Sequence, residues 1–401
     1  MSNGYWTDER HLMQETAREF TNKEVLPLAN KLDPDKGLIP RELIDKMGDM
    51  GYFGITIPEE HGGLGLGSFE YCLIAEELAR GWMSVASIIA RGNGFWRSIP
   101  GHGDELENKI AKMAAGQYLG AFAMSEPNAG SDMASVSCKA TRDGDDWIIN
   151  GNKYWCTFAD GADFLSVICR VDPAGGSNDN RNAGQNAHGG MKSIAVEKPR
   201  GELPAGVQGS PIPKIGYHGW KTWELHFDNV RVPAFDKAPQ EKPGPASMAG
   251  GFVGIQKGLE VARAHTAARS IGAAEGALKV AIDYANEREQ FGKPIAKFQA
   301  IRFKIATAAT EIEAARQLMY YVCSEIDSGR RCDKEAAMVK YFAAEMSERV
   351  TSECLQIMGG AGYTTHYPVE RYWRDARLTK IFEGTSEIMQ RIISDRLMGK
   401  G

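Results

Sequence analysis

Apolar residues recur at helical spacing from the start of the chain, where Leu12, Phe20, Val25 and Leu28 follow a Thr7-Asp8-Glu9 opening. Thr7 has N-cap chemistry, and the two acids after it suit the positive end of a helix. The pattern breaks at Pro58-Glu59-Glu60-His61-Gly62-Gly63-Leu64-Gly65, which predicts a loop. It resumes over 71–78 and again from Ser84 towards Phe95. In the middle third the period shortens to that of strands. Trp147-Ile148-Ile149-Asn150-Gly151-Asn152-Lys153-Tyr154-Trp155 reads as two β-prone runs around Asn-Gly, a hairpin signal. Further strands are predicted over 164–171, 192–197 and 223–232. The stretch 172–190, rich in Gly, Asn and Asp, reads as a long exposed connection. A Pro-rich linker over 233–245 ends the β region. Helical patterns then return over 254–288, 297–328, 334–358 and 383–398.

Helix, then β, then helix in sequential blocks predicts an α+β chain of three domains rather than alternating βαβ units. The expected boundaries are 1–121, 122–240 and 241–401. No Gly-x-Gly-x-x-Gly opens a helix after a strand, so a nicotinamide-binding Rossmann unit has no support. The chain has 401 residues, 43% hydrophobic and 25% charged, ordinary values for a soluble globular protein. A net charge of −5 with no Lys/Arg-rich run argues against nucleic acid as a partner. Seven scattered cysteines without a Cys-x-x-Cys pair fit a reducing compartment and no cysteine-metal site. The opening residues carry no signal-like apolar core and no run reaches membrane-spanning length. A cytoplasmic location and no membrane association are therefore expected.

Three segments carry candidate chemistry. Met124-Ser125-Glu126-Pro127-Asn128-Ala129-Gly130-Ser131-Asp132 is a turn rich in backbone donors and hydroxyls, suited to a polar cofactor edge. In Gln356-Ile357-Met358-Gly359-Gly360-Ala361-Gly362-Tyr363 the glycines let a backbone approach another group closely at a helix end. Lys380-Ile381-Phe382-Glu383-Gly384-Thr385-Ser386-Glu387 sets one carboxylate beside apolar side chains, where desolvation would favour a general base.

With these motifs in this order, the chain resembles the acyl-CoA dehydrogenase family over essentially its whole length. Ile57-Pro58-Glu59-Glu60-His61-Gly62-Gly63 and Arg288-Glu289-Gln290-Phe291-Gly292 match as well. The resemblance implies a helical N-terminal domain, a middle β-barrel or sandwich domain and a C-terminal four-helix bundle. It also implies FAD, an acyl-CoA substrate, electron transfer flavoprotein as acceptor, and a homodimer or a homotetramer built as a dimer of dimers. Phe122, Met124 and Ser125 match residues lining the flavin ring, with Gly130 in the same motif. Ser131 matches a contact to CoA and the cofactor surroundings. Trp155 and Thr157 match the aromatic wall and the hydroxyl facing flavin N5. Arg288, Phe291, Gln299, Gln356 and Gly360 match positions that hold the FAD pyrophosphate and adenosine across a subunit interface. Thr385 and Glu387 match positions near the ribityl and adenosine parts, and Arg263 a helix arginine near the thioester.

By the same resemblance Glu383 takes the α-proton, the Glu383–Gly384 backbone meets the thioester oxygen, and a trans-2-enoyl thioester results. Some members carry the base on the first helix of the C-terminal domain, where this chain has Ala262; Glu260, two residues away, faces elsewhere on a helix. The segment Trp82–Gly94 matches the floor of the acyl pocket. Arg91 stands there where medium-chain members carry an acid, and Ser87 where glutaryl-CoA members carry a carboxylate-binding arginine. Positions i and i+4 share a helix face, so Arg91 is a candidate anchor for a second carboxylate, as on a glutaryl- or substituted succinyl-CoA. An arginine paired with a protein acid or reaching solvent is the competing reading, and a short, branched or aromatic acyl-CoA then becomes the substrate. Monooxygenase or desulfinase relatives on this fold typically lack the glutamate, and a DNA-associated alkylation-response flavoprotein would call for basic surface that this chain lacks.

Overall fold

The computed structural model describes residues 4–171, 190–234 and 251–399. The 172–190 connection, the 233–245 linker and the 240/241 boundary lie outside the described residues almost entirely. Seven helices come first: α1 (Asp8–Phe20), α2 (Leu26–Leu32), α3 (Arg41–Asp49), α4 (Ser68–Gly81), α5 (Met83–Ile88), α6 (Ala90–Asn93) and α7 (Gly103–Ala114). Thr7 is the N-cap of α1, accepting from the Arg10 amide at 3.2 Å. The helix expected from Ser84 to Phe95 is interrupted at Ile89, giving α5 and α6.

The strands are β1 (Gly120–Ala123), β2 (Lys139–Asp143), β3 (Asp146–Thr157), β4 (Phe164–Val171), β5 (Met191–Glu197), β6 (Val207–Pro211) and β7 (Thr222–Pro233). They form one curled sheet in the order β1-β4-β2-β3-β7-β6, with β5 on β4. The Asn150-Gly151 hairpin is not formed. Those residues lie inside β3, and the hairpin closes six positions earlier at Gly144-Asp145, where Asp143 pairs with Asp146. The two loop residues are Gly144 and Asp145, and Gly144, in the first position, takes the positive φ of 59° that a Gly-led two-residue hairpin turn requires. Asn150-Gly151 marks a bulge against β7 instead. The Asn150 carboxamide accepts from the Asn229 amide at 2.8 Å, and Gly151 leaves room for Cys138 just before β2.

Five helices follow: α8 (Gly251–Glu287), α9 (Gln299–Asp327), α10 (Asp333–Met358), α11 (Val369–Thr379) and α12 (Ser386–Met398). Buried alanines line α8, among them Ala264, Ala267, Ala268, Ala274 and Ala281. Small side chains let α4 come close; a Cβ on Gly272 would stand 2.1 Å from the Glu76 carbonyl oxygen. α4 is buried on nearly every side and carries three acids inward. Glu70, Glu76 and Glu77 each meet an arginine, Arg10, Arg316 and Arg18 respectively, at 2.7 Å. Such pairing is what makes their burial tolerable. Among the described residues, no helix is long and apolar enough to cross a membrane.

Candidate active site

The site is built where α8 passes the turn after α11. The helix predicted from Glu383 begins only at Ser386, with Thr385 as its N-cap. Glu383 therefore stands in the turn itself, with φ of 54°, followed by Gly384 at 95°. A non-glycine residue in the left-handed region is strained and holds only where its surroundings over-determine it. Here α10 supplies the tethers. The buried Lys340 ammonium donates to the Gly384 carbonyl at 2.5 Å, and the Ser386 hydroxyl to Glu345 at 2.7 Å. Lys380 meets Glu345 at 2.8 Å and Glu348 at 2.7 Å.

The Glu383 carboxylate is received by α8. Arg269 Nη2 donates to Oε1 at 2.6 Å, and the Thr266 hydroxyl meets Oε2. That hydroxyl has one proton and also lies 2.9 Å from the Ala262 carbonyl, so it can serve only one of the two acceptors at a time. Arg269 is fully buried, whereas the Glu383 side chain is 32% exposed. Burial opposes the Arg269 charge, but Glu383, with Tyr217 and Tyr71, offsets it and the guanidinium is held above its ordinary value. Its other bonds go to Ser87 Oγ at 2.9 Å, Thr266 Oγ1 at 3.0 Å and the His265 carbonyl at 3.3 Å, and it stands 4.7 Å over the Phe382 ring. The apolar flank expected to enclose Glu383 is only half present, since Ile381 points outwards at 52% exposure. Sequence reading missed Arg269, Thr266 and Lys340. Within Ala-rich apolar helices a single polar residue reads as an ordinary solvated position, and only tertiary structure reveals its burial.

The floor is α5 and α6. Ser87 is buried and joined to Arg269, which links it to Glu383 through two hydrogen bonds. Arg91 is half-buried and forms no ion pair among the described residues; its guanidinium lies 5.9 Å from the Phe95 ring centre. Tyr71 and His265 stack at 4.6 Å, and the Arg269 and Arg91 charges both act on them. Burial, with the two arginines nearby, pushes the His265 imidazole well below its usual range and keeps it neutral. The loop 214–222 closes one side. Trp220 Nε1 donates to the Ser84 carbonyl at 2.9 Å, and the Tyr217 ring meets Phe382 at 6.0 Å.

Two other positions near α8 are unlike each other. Glu260 turns to the Cys332 thiol at 3.6 Å, away from Glu383. Arg263 is buried with its Nε left without a partner, an orphaned donor of the kind a ligand satisfies.

On the sheet, the residues expected around a flavin share one region. Trp155 and Thr157 are on β3. A bulge between Lys153 and Cys156 turns Trp155 outwards at φ 65°, and it stays 55% exposed. Thr157 Oγ1 lies 3.0 Å from Thr222 Oγ1. Phe122 and Met124 pack on Ile168 and Met191 beside Leu259 of α8. The Ser125 carbonyl accepts from the Tyr154 amide at 2.7 Å, while its hydroxyl is unengaged among the described residues. Beneath this turn the fully buried Lys153 pairs with Glu126 at 2.8 Å and donates to the Met124 carbonyl at 2.9 Å. Gly130 faces open space, and Ser131 is exposed. An uncovered indole, a free hydroxyl and an open glycine turn fit a flat ring with a polar edge, as FAD presents.

Arg288, Phe291, Gln299, Gln356 and Gly360 are not brought to this place. All are exposed, Phe291 at 92%. Arg288 lies beyond the end of α8, about 28 Å of helical rise from Arg269. Gln356 lies about 24 Å along α10 from Lys340. Thr385 and Gly384 adjoin Glu383, with the Thr385 hydroxyl engaged in capping α12 and Glu387 exposed in its first turn.

Comparison with known proteins gives this geometry its class. The N-terminal, middle and C-terminal domains of acyl-CoA dehydrogenase match residues 7–117, 121–230 and 249–398. The chain belongs to the acyl-CoA dehydrogenase family, FAD-dependent oxidoreductases acting on the CH–CH bond of acyl-CoA thioesters. It is 36% identical to (2S)-methylsuccinyl-CoA dehydrogenase of Cereibacter sphaeroides over 98% of this chain and 70% of that one. A structure from work on the electron transferring flavoprotein of Acidaminococcus fermentans superposes with a TM-score of 0.87 at 34% identity, covering 98% of each chain. The glutaryl-coenzyme A dehydrogenase glutaryl-CoA complex gives 0.84 at 32% identity, covering 98% of this chain and 96% of that one.

Proposed function

We propose that this acyl-CoA dehydrogenase acts on the monothioester of a dicarboxylic acid, of glutaryl or substituted succinyl type, with Glu383 as the base and Arg91 as the anchor of the free carboxylate. The observation that carries the substrate reading is a half-buried guanidinium, on the short helix that follows Ser87, with no acid partner among the described residues. A cation so placed is costly unless an anion joins it. The relatives named for methylsuccinyl-CoA and glutaryl-CoA add support, since both acyl groups carry a second carboxylate.

Bound FAD supplies the acceptor for the β-hydride. The chain's own residues do the rest. Glu383 leaves its pairing with Arg269 and Thr266 to take the α-proton, and the left-handed Glu383–Gly384 turn directs backbone polarity at the thioester oxygen. The Phe382, Tyr217 and Trp220 rings exclude water from the reacting carbons. The exposed Arg288, Phe291, Gln299, Gln356 and Gly360, too far away to touch their own chain's site, support a dimer or a dimer of dimers in which they complete the cofactor site of a second copy. Electron transfer flavoprotein is the proposed acceptor, by likeness to the Acidaminococcus structure.

The test is bleaching of the bound flavin by matched mono- and dicarboxylic acyl-CoAs. A bond between charged groups is worth about 1.5–3 kcal/mol, so Arg91→Ala should weaken dicarboxylic substrates about 10- to 150-fold and leave monocarboxylic ones unchanged. Equal losses on both sets would overturn the anchor and leave a short, branched or aromatic acyl-CoA as the substrate.

A further inference from the structure

Lys340 is the one tether of the Glu383–Gly384 turn that is both charged and wholly removed from solvent. It rises from the buried face of α10 among Ala336, Ala337, Val339, Ala343 and Ala344, and its ammonium makes one hydrogen bond among the described residues, to the Gly384 carbonyl. An ammonium has three donors and is strongly hydrated in water, so a single carbonyl does not repay its burial. Stability alone would be better served by an apolar side chain of the same length. The carbonyl it holds belongs to the peptide that follows Gly384, at the exit of two consecutive residues of positive φ. Any relaxation of that turn swings both the Glu383 side chain and its amide.

We propose that Lys340 is a positioning residue for the base: through the Gly384 carbonyl it fixes the left-handed turn and so aims Glu383 at the α-carbon. The inference rests on Glu383 being the base. The charged groups facing Lys340 are Glu383 on the turn, Arg269 and Arg263 on α8 and Glu345 on its own helix. Burial outweighs the two acids and pushes the ammonium down to about 8, against the usual 10.5. The charged form prevails below that value, so the hold on the turn is strongest at neutral pH and lower and weakens as pH rises through about 8.

The experiment uses the FAD-loaded enzyme with one good acyl-CoA substrate and follows kcat, KM and thermal midpoint against pH. Lys340→Met should bind FAD and show a higher thermal midpoint at pH 7. Its kcat should fall about 10- to 100-fold with KM little changed, as misplacement of a reacting group costs. Lys340→Arg, whose charge does not titrate in this range, should recover most of kcat and lose the decline above pH 8. A wild type with no alkaline decline in kcat, or Lys340→Met with unchanged kcat, overturns the proposal. Should Lys340→Met fail to fold, Lys340→Arg decides: a decline still centred near pH 8 overturns it. Glu383→Gln separates the two readings. Substrate reduction retained in that variant removes the base assignment and this inference with it. Substrate reduction lost there, with kcat intact in Lys340→Met, removes this inference alone.

Discussion

Arg269 and Glu383 show how unequal the two halves of an ion pair can be. Arg269 is fully buried and depends on Glu383 for its only opposite charge among the bonds it forms, while Glu383 keeps a third of its side chain in contact with solvent. Glu383→Gln keeps the size and a hydrogen-bond acceptor but cannot take a proton. It should retain FAD and lose about 10²- to 10⁴-fold in the rate of flavin reduction by substrate, the usual worth of a positioned base. Removing one partner of a buried pair costs several kcal/mol, and partial exposure of Glu383 reduces this. Urea unfolding of Glu383→Gln should therefore show a loss of about 1–3 kcal/mol, most of it belonging to the uncompensated Arg269. An unchanged midpoint would mean that Ser87, Thr266 and the His265 carbonyl suffice for the guanidinium.

At the level of elements, β3 carries both the sharpest departure from expectation and the clearest stability test. Gly151 has φ of 137°, and a Cβ there would stand 2.8 Å from Cys138 Cα, a backbone atom that cannot turn aside. Gly151→Ala should cost about 2–4 kcal/mol, measured by urea unfolding, because strained φ and a hard contact coincide. Long helices were legible from periodicity, and Thr7 from its chemistry, because both signals are local. Asn150-Gly151 misled because the same residues also suit a bulge, and only pairing with β7, with the hairpin closed at Gly144-Asp145, decides between the two. α11 went unread: its charged residues hide a short apolar face, and buried Arg371 and Asp375 look like surface positions. In the candidate site, Glu383 and Trp155 were legible through motifs. Their conformations were not, since positive φ at a bulge or a tethered turn depends on distant partners.

Across the whole molecule, the seam between domains is polar and titratable. Asp375 on α11 accepts from the Tyr217 amide at 2.5 Å, with Asp33, Arg374, Arg371 and His218 close by. Burial, reinforced by Asp33, pushes the Asp375 carboxyl up to about 7. An acid with a raised folded value keeps its proton in the native state after the unfolded chain has lost it. Its contribution to stability is thus full at low pH and is lost as pH rises to 7. Asp375→Asn can still accept from Tyr217. Its thermal midpoint relative to the parent should rise between pH 5 and about pH 7 and level off above that; a constant difference would remove Asp375 from the pH response. The loop 214–222 beside it is stapled by Lys214, which donates to the Tyr217 and Trp220 carbonyls and Thr222 at 2.9, 3.0 and 3.0 Å. The same loop grips Ser84 of the first domain and Asp375 and Phe382 of the third. Chimaeras that exchange the middle domain between relatives would therefore break the pocket unless these nine residues travel with the helices they grip. Recombination can carry this site from one parent to another only as a unit, with the loop and its three partners taken together.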